Sequence, residues 1–170
     1  MIREVEGDIL FSDAQVIAHG IATHDPFDSG LALALRERFP SMVRDYRHAM
    51  HAKEPRTGEI WAWRGVNEDG GTRGIVNLLT QGMQSQAKSA RPVKASVEDV
   101  NHALRALAKL VQDEGIKSVA LPRLATGVGG LGWTDVKPLI RQHLGNLGIP
   151  VVIYEVYRKN QKADEKLAAG

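Results

Sequence analysis

The stretch Leu121-Pro-Arg-Leu-Ala-Thr-Gly-Val-Gly-Gly-Leu-Gly-Trp133 does most to decide the fold. It follows the apolar run Lys117–Leu121, which is typical of a buried strand, and it precedes a helix that Thr134 is expected to cap. A glycine-rich loop in this position presents backbone N–H groups that can surround a phosphate or a diphosphate. It is neither a Walker A loop nor the dinucleotide fingerprint. A tight connection without a ligand is the alternative, but the length of the run favours phosphate binding.

Outside this loop, short β-rich runs alternate with helical segments. The expected strands are Ile2–Val5, Gln15–His19, Glu59–Arg64, Arg73–Leu79, Lys117–Leu121 and Pro150–Tyr157. The expected helices are Leu31–Arg38, Ser41–Ala52, Ser96–Gly115 and Thr134–Leu147. Asn67-Glu-Asp-Gly-Gly71 predicts one hairpin turn between the third and fourth strands. The pattern therefore predicts an α/β fold, a three-layer α/β/α sandwich with a mixed sheet of about six strands.

Ligands of open α/β sheets bind at the carboxyl ends of the strands. The loops expected at that edge are Ala22–Gly30, Thr80–Pro92 and Pro122–Trp133, and they are also the least periodic loops of the chain. Asp8, after the first strand, could accept a hydrogen bond from an adenine amino group or could cap a turn. Ser29 opens a helix whose N–H groups suit an anion. These features predict a binding cleft for a phosphorylated ligand.

Polar side chains in the Ala22–Gly30 loop are candidates for activating a water molecule. His24, Asp25 and Asp28 cluster there. The alternative is that they supply loop polarity and helix caps, which are common roles of such residues. The residues alone leave both interpretations open.

Composition limits the classes of protein that the chain can belong to. It has 170 residues, of which 43% are hydrophobic and 25% charged, which suits one globular domain. It has no cysteine, which excludes disulfides, thiolate metal sites and cysteine nucleophiles. We expect residues 1–157 to form the domain. Residues 158–170 are expected to be a polar C-terminal tail, as a frayed helix, a disordered segment or in part a non-native extension.

Charge and targeting signals complete the expectations on partners. The net charge is +2, and residues 70–97 hold no acid but include Arg73, Lys88, Arg91 and Lys94. This patch and the basic Arg36–Arg56 stretch could meet nucleic acid, but a solvated face is favoured. No signal peptide or membrane helix is recognisable, so a cytoplasmic protein without a membrane partner is expected. The histidines show no ligand spacing beyond His48-x-x-His51, so no metal and no cofactor are expected.

The motifs in order resemble a macrodomain. They are Glu6-Gly-Asp-Ile-Leu10, Ile17-Ala-His-Gly20, Ser29-Gly-Leu-Ala32, Gly58-Glu-Ile60 and the Leu121–Trp133 loop, and they cover about residues 2–157. Ala18-His-Gly20 and the Pro-Arg-Leu-Ala-Thr-Gly segment resemble one branch of this ADP-ribose-binding superfamily. That branch holds the terminal ADP-ribose protein glycohydrolase and the chromatin-remodeller macrodomains. The Asn-Ala-Ala-Asn segment of other macrodomain classes is absent.

The resemblance implies an ADP-ribose cleft and a role for each matching residue. Asp8 would bind the adenine amino group, with Ile9 supporting it and Tyr154 against the ring, although Tyr154 also suits a plain core position. Ser29 to Leu31 would face the diphosphate and distal ribose, and Thr126 to Gly130 would wrap the diphosphate. The full set of ligand-binding candidates is Asp8, Ile9, His19, Gly20, Ser29, Gly30, Leu31, Thr80, Leu124, Ala125, Thr126, Gly127, Val128, Gly129, Gly130 and Tyr154.

The chain departs from the catalytic pattern of the branch. The family's glycohydrolases use a Lys after the middle strand and an Asp in the glycine-rich loop. The matching positions hold Gln81, or Gln84 if the loop shifts, and Gly129. Gln cannot form the covalent intermediate that Lys can, and Gly has no carboxylate. Lys88 and Lys94 are expected to lie too far along the loop to substitute for that Lys. The catalytic candidates are Gln81, Asp28 and Gly129.

Several functions remain open at this point. The favoured one is hydrolysis of mono-ADP-ribosyl esters of Glu or Asp by a positioned water molecule, with Gln81 or Asp28 orienting it. It is favoured over a reader because no second domain is recognisable in the sequence. The alternatives are a non-catalytic ADP-ribose reader, antitoxin-like removal of ADP-ribose from DNA, and an ADP-ribose 1″-phosphate phosphatase. The expected partner is ADP-ribose or an ADP-ribosylated protein, with nucleic acid less favoured, and the expected state is a monomer.

Overall fold

The computed structural model describes residues 1–66, 71–83, 93–127 and 129–167. The strands are β1 Ile2–Gly7, β2 Val16–Ala22, β3 Ile60–Val66, β4 Thr72–Gln81, β5 Val119–Pro122 and β6 Val151–Tyr157. The helices are α1 Gly30–Arg38, α2 Pro40–Ala52, α3 Val97–Glu114 and α4 Trp133–Leu144, and a 3-10 turn spans Ile9–Phe11. Val128 and the greater part of the predicted Asn67–Gly71 and Thr80–Pro92 segments lie outside the described residues.

The sheet is mixed, as the sequence predicts. Its strand order is β1-β6-β5-β2-β4-β3. β3 pairs antiparallel with β4, and the neighbouring strands from β1 to β4 pair in parallel. The carboxyl ends of five strands therefore meet at one edge, which is where ligands of such sheets bind.

Helices cover both faces of the sheet. On one face, α3 and α4 bury Leu104, Leu107 and Ile140 against the strands. On the other face, α1 and α2 bury Leu35 and Tyr46. The predicted three-layer α/β/α sandwich is confirmed. None of the described helices has both the length and the apolar character to cross a membrane.

Local chemistry explains where α3 begins and ends. The Ser96 hydroxyl accepts a hydrogen bond from the Asp99 N–H at 3.0 Å, which caps the first turn. Gly115 ends the helix in the left-handed conformation, with φ of 63°. Both signals are local, and the sequence predicted both ends correctly.

Three predicted boundaries are wrong. β4 continues through Thr80 to Gln81, where a loop was expected, because Gln81 pairs with Ala22 of β2. α2 begins at Pro40, which suits the first helical position, and Ser41 is not its cap. α4 begins at Trp133 after Gly132, so Thr134 lies inside the helix.

Residues 158–167, here called the C-terminal strap, contradict the expectation of a frayed or disordered tail. The strap has no helix or strand, but it packs along β1, and Ala163 and Glu165 are buried in it. Glu165 is only 6% exposed, although isolated carboxylates are rarely buried. The strap is polar in sequence yet ordered by contacts with distant parts of the chain. The division of the domain at Tyr157 stays a prediction.

Candidate functional site

A pocket of about 370 Å³ opens at the carboxyl edge of the sheet, between the end of β1 and the first turns of α1. Its lining is mainly apolar and aromatic, with one carboxylate. The lining residues are Gly7, Asp8, Ile9, Leu10, Gly30, Leu31, Ala34, Pro122, Tyr154 and Tyr157. Five predicted ligand-binding residues, Asp8, Ile9, Gly30, Leu31 and Tyr154, therefore share one pocket. An apolar cleft with a single oriented acceptor suits a flat ring that carries an amino donor.

Asp8 is the carboxylate of this pocket, and it is 2% exposed. Its Oδ1 accepts a hydrogen bond from the Leu10 N–H and its Oδ2 one from the Asn160 N–H, each at 3.0 Å. The turn-capping interpretation of Asp8 is thus confirmed. Each carboxylate oxygen can accept a further hydrogen bond, so the same group can also hold an amino group. Its contact with adenine stays a prediction.

Tyr154 forms part of the pocket wall while it is also a core residue. It is 5% exposed, and its hydroxyl donates to Oε2 of Glu165 at 2.7 Å. Burial raises the pKa of the Tyr154 hydroxyl above its usual value, and the neighbouring Glu165 carboxylate adds to the shift. The hydroxyl therefore stays protonated and keeps donating at neutral pH.

The start of α1 adds a site for negative charge beside the pocket. Ser29 occupies the position before the helix, and its side chain makes no capping hydrogen bond. Gly30 has φ of +58°, a left-handed conformation that favours glycine, and nothing lies within 4 Å of an added Cβ. The N–H groups of the first helical turn have no partner within the helix itself, so they suit an anion.

The glycine-rich loop closes on itself through its backbone. The Leu131 N–H donates to Ala125 O at 2.9 Å, and the Gly130 N–H donates to Gly127 O at 3.0 Å. Gly129 O accepts from the Ala95 N–H at 3.0 Å, which ties the loop to the segment before α3. These bonds fix the shape of the loop before any ligand arrives.

Other N–H groups of this loop remain for a ligand. Among the described residues, no acceptor takes the N–H of Thr126, Gly127 or Gly129. The Thr126 hydroxyl donates to Arg123 O at 3.0 Å, so its side chain serves the loop itself. Such a set of N–H groups matches the predicted diphosphate loop.

Gly129 cannot be replaced in this loop conformation. A Cβ at that position would stand 2.6 Å from Ala125 O. The Asp that the family pattern has here is therefore excluded without a movement of the backbone. A catalytic contribution of Gly129 is limited to its main chain.

Lys94 lies beside the glycine-rich loop. Its Cε, Cγ and Cδ atoms stand 3.4, 3.5 and 3.7 Å from the position of a Cβ added to Gly130. The Lys94 stem thus crosses the glycine-rich loop. This contact could not be predicted, because the sequence of the Thr80–Pro92 segment before Lys94 has no periodicity from which the position of Lys94 could be inferred. That Lys94 cannot replace the family's catalytic Lys stays a prediction.

The candidate catalytic side chains differ in how firmly they are held. Gln81 is 6% exposed, and its Nε2 donates to Val93 O at 3.0 Å, which leaves Oε1 as its acceptor for a water molecule. Asp28 is exposed in the loop before α1. The other two acid–base candidates of that loop are engaged elsewhere. His24 contacts Glu54 at 2.9 Å, and Asp25 accepts from the Phe27 N–H at 2.8 Å.

A buried hydroxyl marks the end of β4. Thr80 is 1% exposed, and within the described part of the chain its Oγ1 has no hydrogen-bond partner. It faces Gly20, where an added Cβ would stand 3.0 Å from Thr80 Oγ1. Buried polar groups are nearly always satisfied, so this hydroxyl is a candidate for binding water or a ligand hydroxyl.

Two predicted ligand-binding residues, His19 and Leu124, have buried side chains. His19 is 2% exposed, and its Nε2 lies 2.7 Å from Asn77 Oδ1. Leu124 is 1% exposed in the core beneath α3 and α4. Any ligand contact of these two residues is limited to the main chain.

His19 gives the protein a predictable sensitivity to acid. Burial lowers the pKa of His19 from 6.5 to about 4, although its hydrogen bond with Asn77 opposes the shift. Between these values the unfolded chain binds a proton that the folded chain does not, so protonation favours unfolding. The stabilisation present above pH 6.5 is therefore lost as the pH falls toward 4, at up to about 1.4 kcal/mol per pH unit. The free energy of unfolding, measured with urea over this pH range, should depend less steeply on pH in His19→Asn than in wild type. Equal pH dependence in the two proteins would contradict the assignment of this acid sensitivity to His19.

Sequence reasoning missed several residues of the site. Leu10, Ala34, Pro122 and Tyr157 line the pocket. Leu10 and Pro122 stand inside quoted motifs, and Ala34 lies one helical turn after Leu31, so a helical projection could have found them. No local signal indicates that the strap contacts Asp8.

Comparison with known proteins is consistent with this geometry. The sequence model of the Macro domain family matches residues 19–140. A Thermosipho africanus protein named as a DNA ADP-ribosyl transferase–DNA ADP-ribosyl glycohydrolase fusion is 31% identical over 157 residues. The match covers 88% of this chain and 40% of that relative, so the chain spans less than half of its length.

Two solved structures share the fold closely. The macrodomain of Thermus aquaticus DarG has a TM-score of 0.75 and 27% identity, and the match covers 91% of this chain and 98% of that one. Thermosipho africanus DarTG in complex with ADP-ribose has a TM-score of 0.76 and 27% identity, covering 95% of this chain and 42% of that one.

Proposed function

We propose, since this chain belongs to the Macro domain family, that it binds ADP-ribose and hydrolyses the bond that links an ADP-ribosyl group to its substrate. The observation that carries the proposal is the apolar pocket with Asp8 at its end, next to two sets of backbone N–H groups. Each part matches one part of ADP-ribose. The structure of the Thermosipho africanus relative with ADP-ribose supports the same ligand.

The ligand is placed with its adenine in the pocket. The adenine amino group donates to Asp8, and the ring lies against Tyr154. The diphosphate extends between the first turn of α1 and the glycine-rich loop, where N–H groups of both elements donate to it. Lys94, whose stem crosses Gly130, brings a cation to the same place. Isothermal titration calorimetry tests whether the protein binds ADP-ribose, and absence of binding would overturn the proposal.

Hydrolysis proceeds by direct attack of water on C1″ of the distal ribose. The water oxygen forms a bond to C1″ while the C1″–O bond to the modified group breaks, and the leaving oxygen takes the bonding electrons. Gln81 Oε1 orients the water, and the Asp28 carboxylate takes its proton. An ester carboxylate is a good leaving group, so this route does not need the covalent Lys chemistry that Gln81 cannot perform.

Substitution of these two side chains should lower turnover without changing the affinity for ADP-ribose. Asp28→Ala and Gln81→Ala are each expected to lower the rate of ADP-ribose release about 100-fold, the low end for a placed base. The affinity for ADP-ribose should stay unchanged, because neither side chain holds the diphosphate. Asp113→Asn, an exposed carboxylate of α3, is the matched control. Rates measured under single-turnover conditions that equal the wild-type rate in both variants would contradict this mechanism.

The favoured substrate is a mono-ADP-ribosyl ester of Glu or Asp on a protein, because its labile bond requires the least catalytic help. ADP-ribosylated DNA is a second candidate. It is favoured by the Thermosipho africanus relative, whose name states DNA ADP-ribosyl glycohydrolase activity. A DNA substrate would show a steep loss of affinity with increasing salt, since phosphate contacts release counterions.

A further inference from the structure

The C-terminal strap follows the end of β1 closely. Directly after β6, the Arg158 N–H donates to Gly7 O at 2.9 Å. The Asp8 N–H then donates to Gln161 O at 2.7 Å. Between these two bonds, the Asn160 N–H donates to Asp8 Oδ2 at 3.0 Å. The strap therefore holds both the main chain and the carboxylate of Asp8, which lines the pocket.

Glu165 anchors the far end of the strap. Its Oε2 accepts from the hydroxyls of Ser12 at 2.6 Å and Tyr154 at 2.7 Å. Its Oε1 accepts from the Asp13 N–H at 2.8 Å. Three donors that converge on one buried carboxylate form a fixed network, because charge-assisted hydrogen bonds are short and directional. This network connects the strap to the tyrosine of the pocket wall.

Gly7 allows the strap to lie close against the end of β1. A Cβ added to Gly7 would stand 2.9 Å from both Ala163 Cβ and Gln161 O. Any other residue at position 7 would push the strap away from β1. The approach of the strap therefore depends on glycine at this position.

We propose that the strap is a specificity element of the ligand site: Asn160 and Glu165 are positioning residues that hold Asp8 and Tyr154 for recognition of adenine. The inference rests on the proposed function, since it assumes that the adenine of ADP-ribose lies in this pocket. The strap fixes the rotamer of the Asp8 carboxylate and the tilt of the Tyr154 ring before the ligand binds. Preorganisation of this kind raises affinity without adding a contact to the ligand.

Base selectivity distinguishes this role from simple stabilisation. ADP-ribose and inosine diphosphate ribose differ at the base, where a carbonyl oxygen replaces the amino group that Asp8 would accept from. Glu165→Gln and Gly7→Ala are compared with wild type by calorimetry with both ligands. Asp164→Asn is the matched control, because this neighbouring carboxylate has an exposed side chain, at 74%. Circular dichroism confirms that each variant is folded.

The expected result is weaker ADP-ribose binding in both variants, with a loss of base selectivity in Gly7→Ala. Wild type and Asp164→Asn should prefer ADP-ribose, whereas Glu165→Gln and Gly7→Ala should bind it about tenfold more weakly, or about 1.4 kcal/mol. The affinity of Gly7→Ala for inosine diphosphate ribose should change little, because this variant acts on Asp8. Glu165→Gln acts through the Tyr154 ring, which lies against either base, so it should bind both ligands more weakly. Unchanged ADP-ribose affinity in both variants, or a parallel loss for both ligands in Gly7→Ala, would overturn the inference while leaving the proposed function intact. Failure of wild type to bind ADP-ribose would overturn the proposed function and this inference with it.

Discussion

Gly129→Ala is expected to weaken ADP-ribose binding strongly, whereas Gly127→Ala is expected to bind like wild type. A Cβ at position 129 would stand 2.6 Å from Ala125 O and 2.9 Å from Ala125 C, and both are backbone atoms that cannot rotate away. Ala125 already has φ of 59°, so the loop has little freedom to adjust. At position 127 an added Cβ meets nothing within 4 Å.

The loss at Gly129 should reach about 100-fold in affinity, or about 2.7 kcal/mol, because the whole N–H set of the loop is displaced. Calorimetry with ADP-ribose measures it, and the thermal unfolding midpoint confirms that both variants are folded. Gly127→Ala controls for the general cost of adding a methyl group to this loop. Wild-type affinity in Gly129→Ala would show that the diphosphate does not bind here.

Asp8→Asn is expected to weaken ADP-ribose binding about 30-fold, or roughly 2 kcal/mol. The carboxylate has two oxygens that accept from the Leu10 and Asn160 N–H groups, and an amide has only one. In the variant, the amide NH2 group would face another donor, because the Leu10 N–H, the Asn160 N–H and the adenine amino group are all donors. A buried donor left unpaired costs about 1–3 kcal/mol, so the free energy of unfolding should also fall.

The two effects of Asp8→Asn can be measured separately. Urea unfolding reports the loss of stability, and calorimetry at a temperature where the variant is fully folded reports the loss of affinity. The exposed Glu6, two residues earlier, supplies the control Glu6→Gln, which should change neither value appreciably. Wild-type affinity of Asp8→Asn for ADP-ribose would show that adenine does not bind in this pocket.

The fold could be predicted because its signals are local. Helix caps such as Ser96 and Gly115, and the alternation of apolar runs with glycine-rich loops, are visible within a few residues. The boundary at Thr80 and Gln81 was missed because both side chains are polar. Their place in β4 depends on pairing with β2, which lies some 60 residues earlier in the chain.

The site could be predicted only in part. Asp8, Gly30 and Tyr154 share a pocket because strand order brings the ends of β1 and β6 to the start of α1. Glu165 could not be predicted, since its partner Ser12 is 153 residues away and nothing local distinguishes it from an exposed carboxylate. His19 belongs to a motif that resembles a ligand-binding segment, but its side chain lies on the strand face toward α2, where it is hydrogen-bonded to Asn77.

Release of ADP-ribose from a modified substrate is the measurement that tests hydrolysis most directly. Wild type and Gly129→Ala are incubated with protein carrying mono-ADP-ribosyl Glu or Asp, and in parallel with ADP-ribosylated single-stranded DNA. The account predicts release from the protein ester by wild type and much slower release by Gly129→Ala at the same substrate concentration. Release from DNA alone would assign the activity to the second substrate. Binding of ADP-ribose without release from either substrate would contradict the account and make the protein a reader.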